Sequence, residues 1–158
     1  MGIIVSAFPG CGKTTMFNEL NGKIKIMDSD SSKFDKSDFP RNYIEHIKDN
    51  INDVDIMFIS SHDTVRNALE IEGIDFDLFY PSIDRKLEFL ENYVKRKSSR
   101  EFIMKIDANW KEWIEDIENN HQKHCHIHKL NRGEFLLNND MLNRYIQMLT
   151  NNAEEKEN

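Results

Sequence analysis

A chain of 158 residues has the length of one ordinary domain. Its 39% hydrophobic and 31% charged residues suffice for one packed core and argue against wholesale disorder. Lys+Arg 21 against Asp+Glu 28 gives a formal net charge of -7, which argues against a nucleic-acid coat or a polybasic membrane binder but not against a local basic site.

Ile3-Ile4-Val5-Ser6-Ala7 is a short apolar run, long enough for a buried strand and too short for a helix. Met1 to Val5 lacks the length and positive start of a signal peptide, and no apolar run approaches the roughly 20 residues that cross a bilayer. Gly10 and Gly12 break the run, and Lys13 to Leu20 reads as a short helix ending near Gly22. Lys23 to Met27 alternates with period two, which predicts a strand toward a sheet edge, stopped by Asp28-Ser29-Asp30-Ser31-Ser32. Pro40 can open the next helix, with Tyr43, Ile44, Ile47 and Ile51 on its apolar face. Val54 to Ile59 is a third strand, and Ser60-Ser61-His62-Asp63 supplies capping residues for a helix carrying Val65, Ala68 and Leu69. Gly73 ends that helix, and Phe76 to Tyr80 is a fourth strand stopped by Pro81.

Two longer helical stretches follow. Ile83, Leu87, Leu90 and Val94 keep the three-four spacing of an apolar stripe, as do Phe102, Ile106, Trp110, Trp113 and Ile117. The polar, basic Lys95-Arg96-Lys97-Ser98-Ser99-Arg100 lies between them. His126 to Leu130 is a fifth strand, Leu142, Tyr145, Ile146 and Leu149 mark a last helix, and residues 151–158 are expected as a disordered tail. Strands alternating with helices predict an α/β fold: a three-layer αβα sandwich around a five-stranded parallel sheet, in one domain over residues 1–150.

Ala7-Phe8-Pro9-Gly10-Cys11-Gly12-Lys13-Thr14-Thr15 joins the first strand to the first helix and reads as a phosphate-binding P-loop, with alanine in place of the strict first glycine. Small residues let the backbone curl so that successive N–H groups face anionic oxygens, and the helix presents its positive dipole end to the same anion. Pro9, Gly10, Cys11, Gly12, Lys13, Thr14 and Thr15 would therefore cradle the phosphates of ATP, with Lys13 on the β- and γ-phosphates and the Thr14 hydroxyl on Mg²⁺. Asp28 and Asp30, spaced i, i+2 on an extended segment, project to one side.

Strand, Ala/Gly-x-Pro-Gly-x-Gly-Lys-Thr-Thr, helix, then a second strand ending in Asp-Ser-Asp resembles the small P-loop kinases, a group that includes nucleoside monophosphate, shikimate and nucleoside or sugar kinases. The resemblance implies a P-loop NTPase fold and ATP- and Mg²⁺-dependent phosphoryl transfer to a small molecule, with a nucleoside or nucleotide as acceptor. It places Asp28 near Mg²⁺ and Asp30 at the acceptor, where it can take a hydroxyl proton. It makes 31–50 the acceptor-binding segment and 95–100 a short mobile lid, from which Arg96 and Arg100 fold onto the transferring group, with Arg85 a lesser candidate of the same kind. Asn131-Arg132-Gly133 resembles the loop that packs on adenine. Asn- and Lys-rich usage is similar to that of phage proteins.

His62 and Arg66 follow the third strand, where an open parallel sheet binds ligands, and are candidates to hold the acceptor. Asp28 and Asp30 favour a hydroxyl acceptor, while a phosphate acceptor would need arginines more than a base, and both stay open. A kinase of another hydroxylated small molecule or of a modified DNA base, and a nucleotide-binding module without catalysis, are the alternatives. Cys11 and Cys125 cannot make a disulfide framework and suit a cytoplasmic monomer or homodimer. Cys11, near loop amides and Lys13, is open to a lowered pKa and to alkylation. His124, His126 and His128 share a strand face but lack further ligands at a metal-binding spacing.

Overall fold

A computed structural model describes residues 1–157. Strands β1 (Ile3–Ala7), β2 (Ile26–Asp28), β3 (Ile56–Ile59), β4 (Phe76–Pro81) and β5 (Cys125–Leu130) form one sheet in the order β2-β3-β1-β4-β5, and all four pairings are parallel. The helices are α1 (Lys13–Leu20), α2 (Arg41–Asn50), α3 (Asp63–Ile71), α4 (Lys86–Lys95), α5 (Arg100–Asn120) and α6 (Asp140–Glu157). The chain leaves β1 for the β2 edge, then returns through β3, past β1, to β4 and β5. Right-handed crossovers put α1 on one face and α2, α3 and α5 on the other. A 3-10 turn at Leu136–Asn138 touches both α1 and α6, which brings α6 to the face of α1 and completes the three layers.

Burial follows sheet position. All four residues of the interior strand β3 are buried, as are four of the five in central β1, whereas edge strand β2 has none. Of the Lys23 to Met27 stretch expected as a strand, only Ile26 and Met27 join the ladder, and the strand runs on to Asp28. On α2, Tyr43, Ile44 and Ile47 face inward as their spacing predicts, and α5 buries Ile106, Trp110, Ile114 and Ile117. Phe8 meets the edge of Trp110 with ring centroids 5.4 Å apart, which seats α5 under the β1–α1 loop.

Helix α4 departs from expectation. Of the expected Ile83, Leu87, Leu90 and Val94 stripe, Ile83 falls in the 3-10 turn Ile83–Arg85, Leu90 is half-buried, and Leu87 and Val94 are 70% and 63% exposed, while Phe89 and Tyr93 are buried. The helix carries two apolar faces, and the aromatic one wins because it offers more area to Trp110 and Phe135. At the other end of the chain, α6 runs through Glu157 into the 151–158 segment expected as a disordered tail. Ala153, Glu154 and Glu155 are good helix formers with no breaker between them, and Asn158 lies outside the described residues. Among the described residues, no helix is long and apolar enough to cross a membrane.

Candidate functional site

The β1–α1 loop lies at the carboxyl end of the central strand. Its backbone turns on Gly10 and Gly12, whose φ angles of +93° and +99° are left-handed. A Cβ on Gly10 would come within 2.9 Å of Tyr93 Cε1, so both the turn and the close aromatic approach require glycine. Tyr93 Oη donates to the Pro9 carbonyl, and Leu136 N–H donates to the Cys11 carbonyl at 3.0 Å, holding the loop from two sides. The amides of Gly10, Gly12, Lys13, Thr14 and Thr15 have no protein acceptor among the described residues. Five free N–H groups at a helix N-terminus make a concave, positively polarised surface.

This loop floors a cleft of about 1210 Å³. Pro9, Gly10, Gly12, Lys13, Thr14 and Thr15 form one side, Ser60, Ser61 and His62 after β3 another, and Lys95, Arg96 and Ser98 at the end of α4 a third. Phe102 and Phe135 add aromatic surface. The connections from β1 and its neighbour β4 run in opposite directions, so the cleft sits at the topological switch point of the sheet.

Cys11 does not line the cleft. Its side chain is buried, with Sγ 4.0 Å from the Phe79 carbonyl, and burial pushes its thiol up to about 12. The expected lowering is therefore reversed: desolvation outweighs the nearby positive charge. Thiol labelling of the native protein at pH 8 should be slow and become rapid only on unfolding. Because the folded pKa lies above the thiol's ordinary value of 9.0, the unfolded chain loses its proton first. Stability from this group is whole below pH 9 and lost as pH rises toward 12, which denaturant titrations across that range would measure.

Beside the cleft, Lys13 Nζ lies 3.6 Å from Asp28 Oδ1. Asp30 is exposed and accepts from Ser32 N–H at 2.9 Å, capping the 3-10 turn Ser31–Lys33. That hydrogen bond holds its carboxyl below the usual range, and Lys33 and Lys13 add to the effect. Tyr43 Oη donates to the Ser29 carbonyl at 2.7 Å and accepts from Ser60 N–H at 3.2 Å, and Ser60 Oγ donates to Ser31 Oγ at 2.6 Å. The carboxyl ends of β2 and β3 are thus tied by hydroxyls. Ser6 Oγ, donating to the Ser60 carbonyl at 3.2 Å, ties in β1.

The arginines divide sharply. Arg96 reaches the cleft, its guanidinium 5.3 Å from the centre of the Tyr93 ring. Arg100, the first residue of α5, is exposed and does not line it. Arg66 donates from Nε to the Ser61 carbonyl at 3.1 Å and lines a separate pocket with Asp63, Asn67 and Asp116, so it is not on the same wall as His62. Arg132 is 78% exposed and pairs with Asp84 at 3.3 Å; the cleft residues of that loop are Phe135, Leu137 and Asn138 instead. Arg85 is no lid residue. It is 1% exposed, forks onto Glu88 at 3.0 and 2.7 Å, and donates through Nη1 to the carbonyls of Leu130, Asn131 and Glu134. Phe89 and Phe135 sandwich it at 5.0 and 4.9 Å. Sequence reading missed Phe102 and Phe135 here, because an aromatic at helical spacing or in a loop signals core and cleft alike.

The 95–100 segment is a tight turn. Ser98 N–H donates to the Tyr93 carbonyl and Lys97 N–H to that of Val94, both at 3.0 Å, and Ser99 Oγ caps α5 through Phe102 N–H at 3.2 Å. This Schellman closure puts Lys97 at φ +59°, where glycine is the usual residue. Lys97→Gly should raise stability by about 0.5–1 kcal/mol, the relief of left-handed strain exceeding the entropy of glycine. Urea unfolding would measure it.

His124 pairs with Asp75 at 2.8 Å and His128 with Asp77 at 2.7 Å, across β4 and β5. Among the described residues, no three His, Cys, Asp or Glu side chains are grouped to hold a metal ion. No family model matches the chain, and no curated protein matches it.

Proposed function

We propose that this chain is a small P-loop kinase that transfers the γ-phosphoryl group of ATP to a small acceptor, with a nucleoside or nucleotide the favoured class. The observation that carries this reading is the β1–α1 loop: five unpartnered amides, two left-handed glycines and Lys13 converge at a helix N-terminus on the switch point of a parallel sheet. A phosphate chain has oxygens enough to satisfy these donors together.

In this reading the loop amides and Lys13 bind the β- and γ-phosphates, and Arg96 approaches the group in transfer from the α4 side. Thr14 and Asp28 offer a hydroxyl and a carboxylate, hard oxygen donors that fit Mg²⁺, an ion that keeps waters and needs one or two protein ligands. Bound there, Mg²⁺ would offset charge on the phosphate oxygens. Asp28, beside Lys13, keeps that amine directed at the loop. His62, Ser60 and Ser61 face the acceptor. Arg100, Arg66, Arg132 and Asp30, expected at the site, carry no role in this reading, because their side chains do not line the cleft.

Calorimetry with ATP and Mg²⁺, followed by coupled ADP release over an acceptor panel, tests the proposal. Saturable ATP binding with acceptor-dependent ADP release is the expected result, and no ATP binding would overturn it. The short 95–100 turn, closed by the Lys97 and Ser98 N–H groups, favours one rival, a nucleotide-binding module without catalysis, for which ATP would bind and no acceptor would release ADP.

A further inference from the structure

Resting on the phosphoryl-transfer reading, we propose that the acceptor presents an uncharged hydroxyl group to this cleft and is not a phosphate monoester. The distribution of charge around the cleft points there. Its cationic lining residues, Lys13, Lys95 and Arg96, all lie on the β1–α1 loop and at the end of α4, the side where the nucleotide's own phosphates would sit. The opposite wall is Ser60, Ser61 and His62, with the Ser31 hydroxyl bonded behind Ser60 and Asp28 beyond Lys13.

A phosphate acceptor would bring nearly two negative charges to this wall and would call for guanidinium forks. The two arginines nearest in sequence are both turned to other tasks. Arg66 is held by the Ser61 carbonyl in the separate pocket, and Arg41 forks onto Asp38 with 72% of its side chain exposed. Lys33 is the remaining nearby cation, exposed and facing Asp30 from the 3-10 turn. The Asp28 carboxylate, 3.6 Å from the Lys13 amine, would repel a second phosphate.

The transfer balances with groups already in place. The acceptor oxygen attacks the γ-phosphorus, and a new P–O bond forms. The bond from that phosphorus to the β,γ-bridging oxygen breaks, and its electron pair leaves with ADP. The hydroxyl proton passes to water in the open cleft.

Matched acceptor pairs test this with the full chain, ATP and Mg²⁺: thymidine against thymidine 5′-monophosphate, adenosine against adenosine 5′-monophosphate, and glucose against glucose 6-phosphate. The expected result is at least a tenfold higher kcat/KM for the unphosphorylated member of a pair, with a phosphate monoester as the new phosphorus NMR signal. Equal or reversed preference, or a phosphoanhydride product, overturns the hydroxyl assignment and leaves the kinase intact. ATP binding without ADP release from any pair also overturns it, and favours the non-catalytic module. Failure to bind ATP removes the phosphoryl-transfer reading itself. Lys33→Ala supplies an independent arm: it should change kcat/KM by less than twofold, whereas a tenfold loss would mean that an anionic acceptor docks there.

Discussion

Lys13→Ala should lower ADP release by roughly 10²–10³-fold or more while leaving the fold intact. The amine is the one cation placed on the β1–α1 loop itself, and in the proposed reaction it meets the β- and γ-phosphates together with the loop amides. Its structural contribution is small. The pair with Asp28 is 3.6 Å long with side chains 32% and 37% exposed, a geometry worth about 0–1 kcal/mol. The melting temperature should therefore move by no more than about 2–4 °C, since a domain of this size shifts that much per kcal/mol. Coupled ADP release and thermal melts on the same preparation check both halves. Turnover near wild type would remove Lys13 from the reaction, and a large drop in melting temperature would show that the amine is structural.

Arg85→Ala should do the reverse, destabilising the protein by about 3–5 kcal/mol. Glu88 is 40% exposed and rehydrates when its partner goes, so the cost comes mainly from elsewhere. The Leu130 and Asn131 carbonyls keep the N–H groups of Ser82 and Glu134, but the Glu134 carbonyl loses its donor, at about 1–3 kcal/mol. The space between Phe89 and Phe135 also empties. Because Phe135 lines the cleft and Leu136 N–H holds the Cys11 carbonyl, nucleotide affinity should fall together with stability. Urea unfolding and ATP calorimetry measure the two effects. Arg132→Ala is the matched control: its exposed pair with Asp84 predicts a change within about 0.5 kcal/mol.

These two basic residues show what kind of information a sequence carries. The place of Lys13 was legible because it is set locally. Two glycines, a strand before and a helix after fix where its backbone lies, and every part of that signal falls within about ten residues. The same holds for α1 at Lys13–Leu20, for the inner face of α2 and for β2 as an edge strand. Five arginines, by contrast, looked similar along the chain. Arg96 lines the cleft, Arg85 is a buried clamp, and Arg66, Arg100 and Arg132 point elsewhere. Arg85 earns burial from carbonyls some 45 to 49 residues away, contacts that no local spacing encodes. Cys11 follows the same rule, since the carbonyl it faces belongs to Phe79 and the burial that raises its pKa comes from the whole core.

Period-two and period-three-four patterns set the strands and helices, and a nine-residue glycine-bearing loop marked the turn from β1 into α1. These are properties of neighbouring residues, and short-range sterics and hydrogen bonding are enough to express them. Strand order, the choice of Phe89 and Tyr93 over Leu87 and Val94 as the inner face of α4, and the sorting of the arginines belong to the tertiary structure. Each depends on which distant surfaces compete for the same buried space, and only the packed sheet settles that competition.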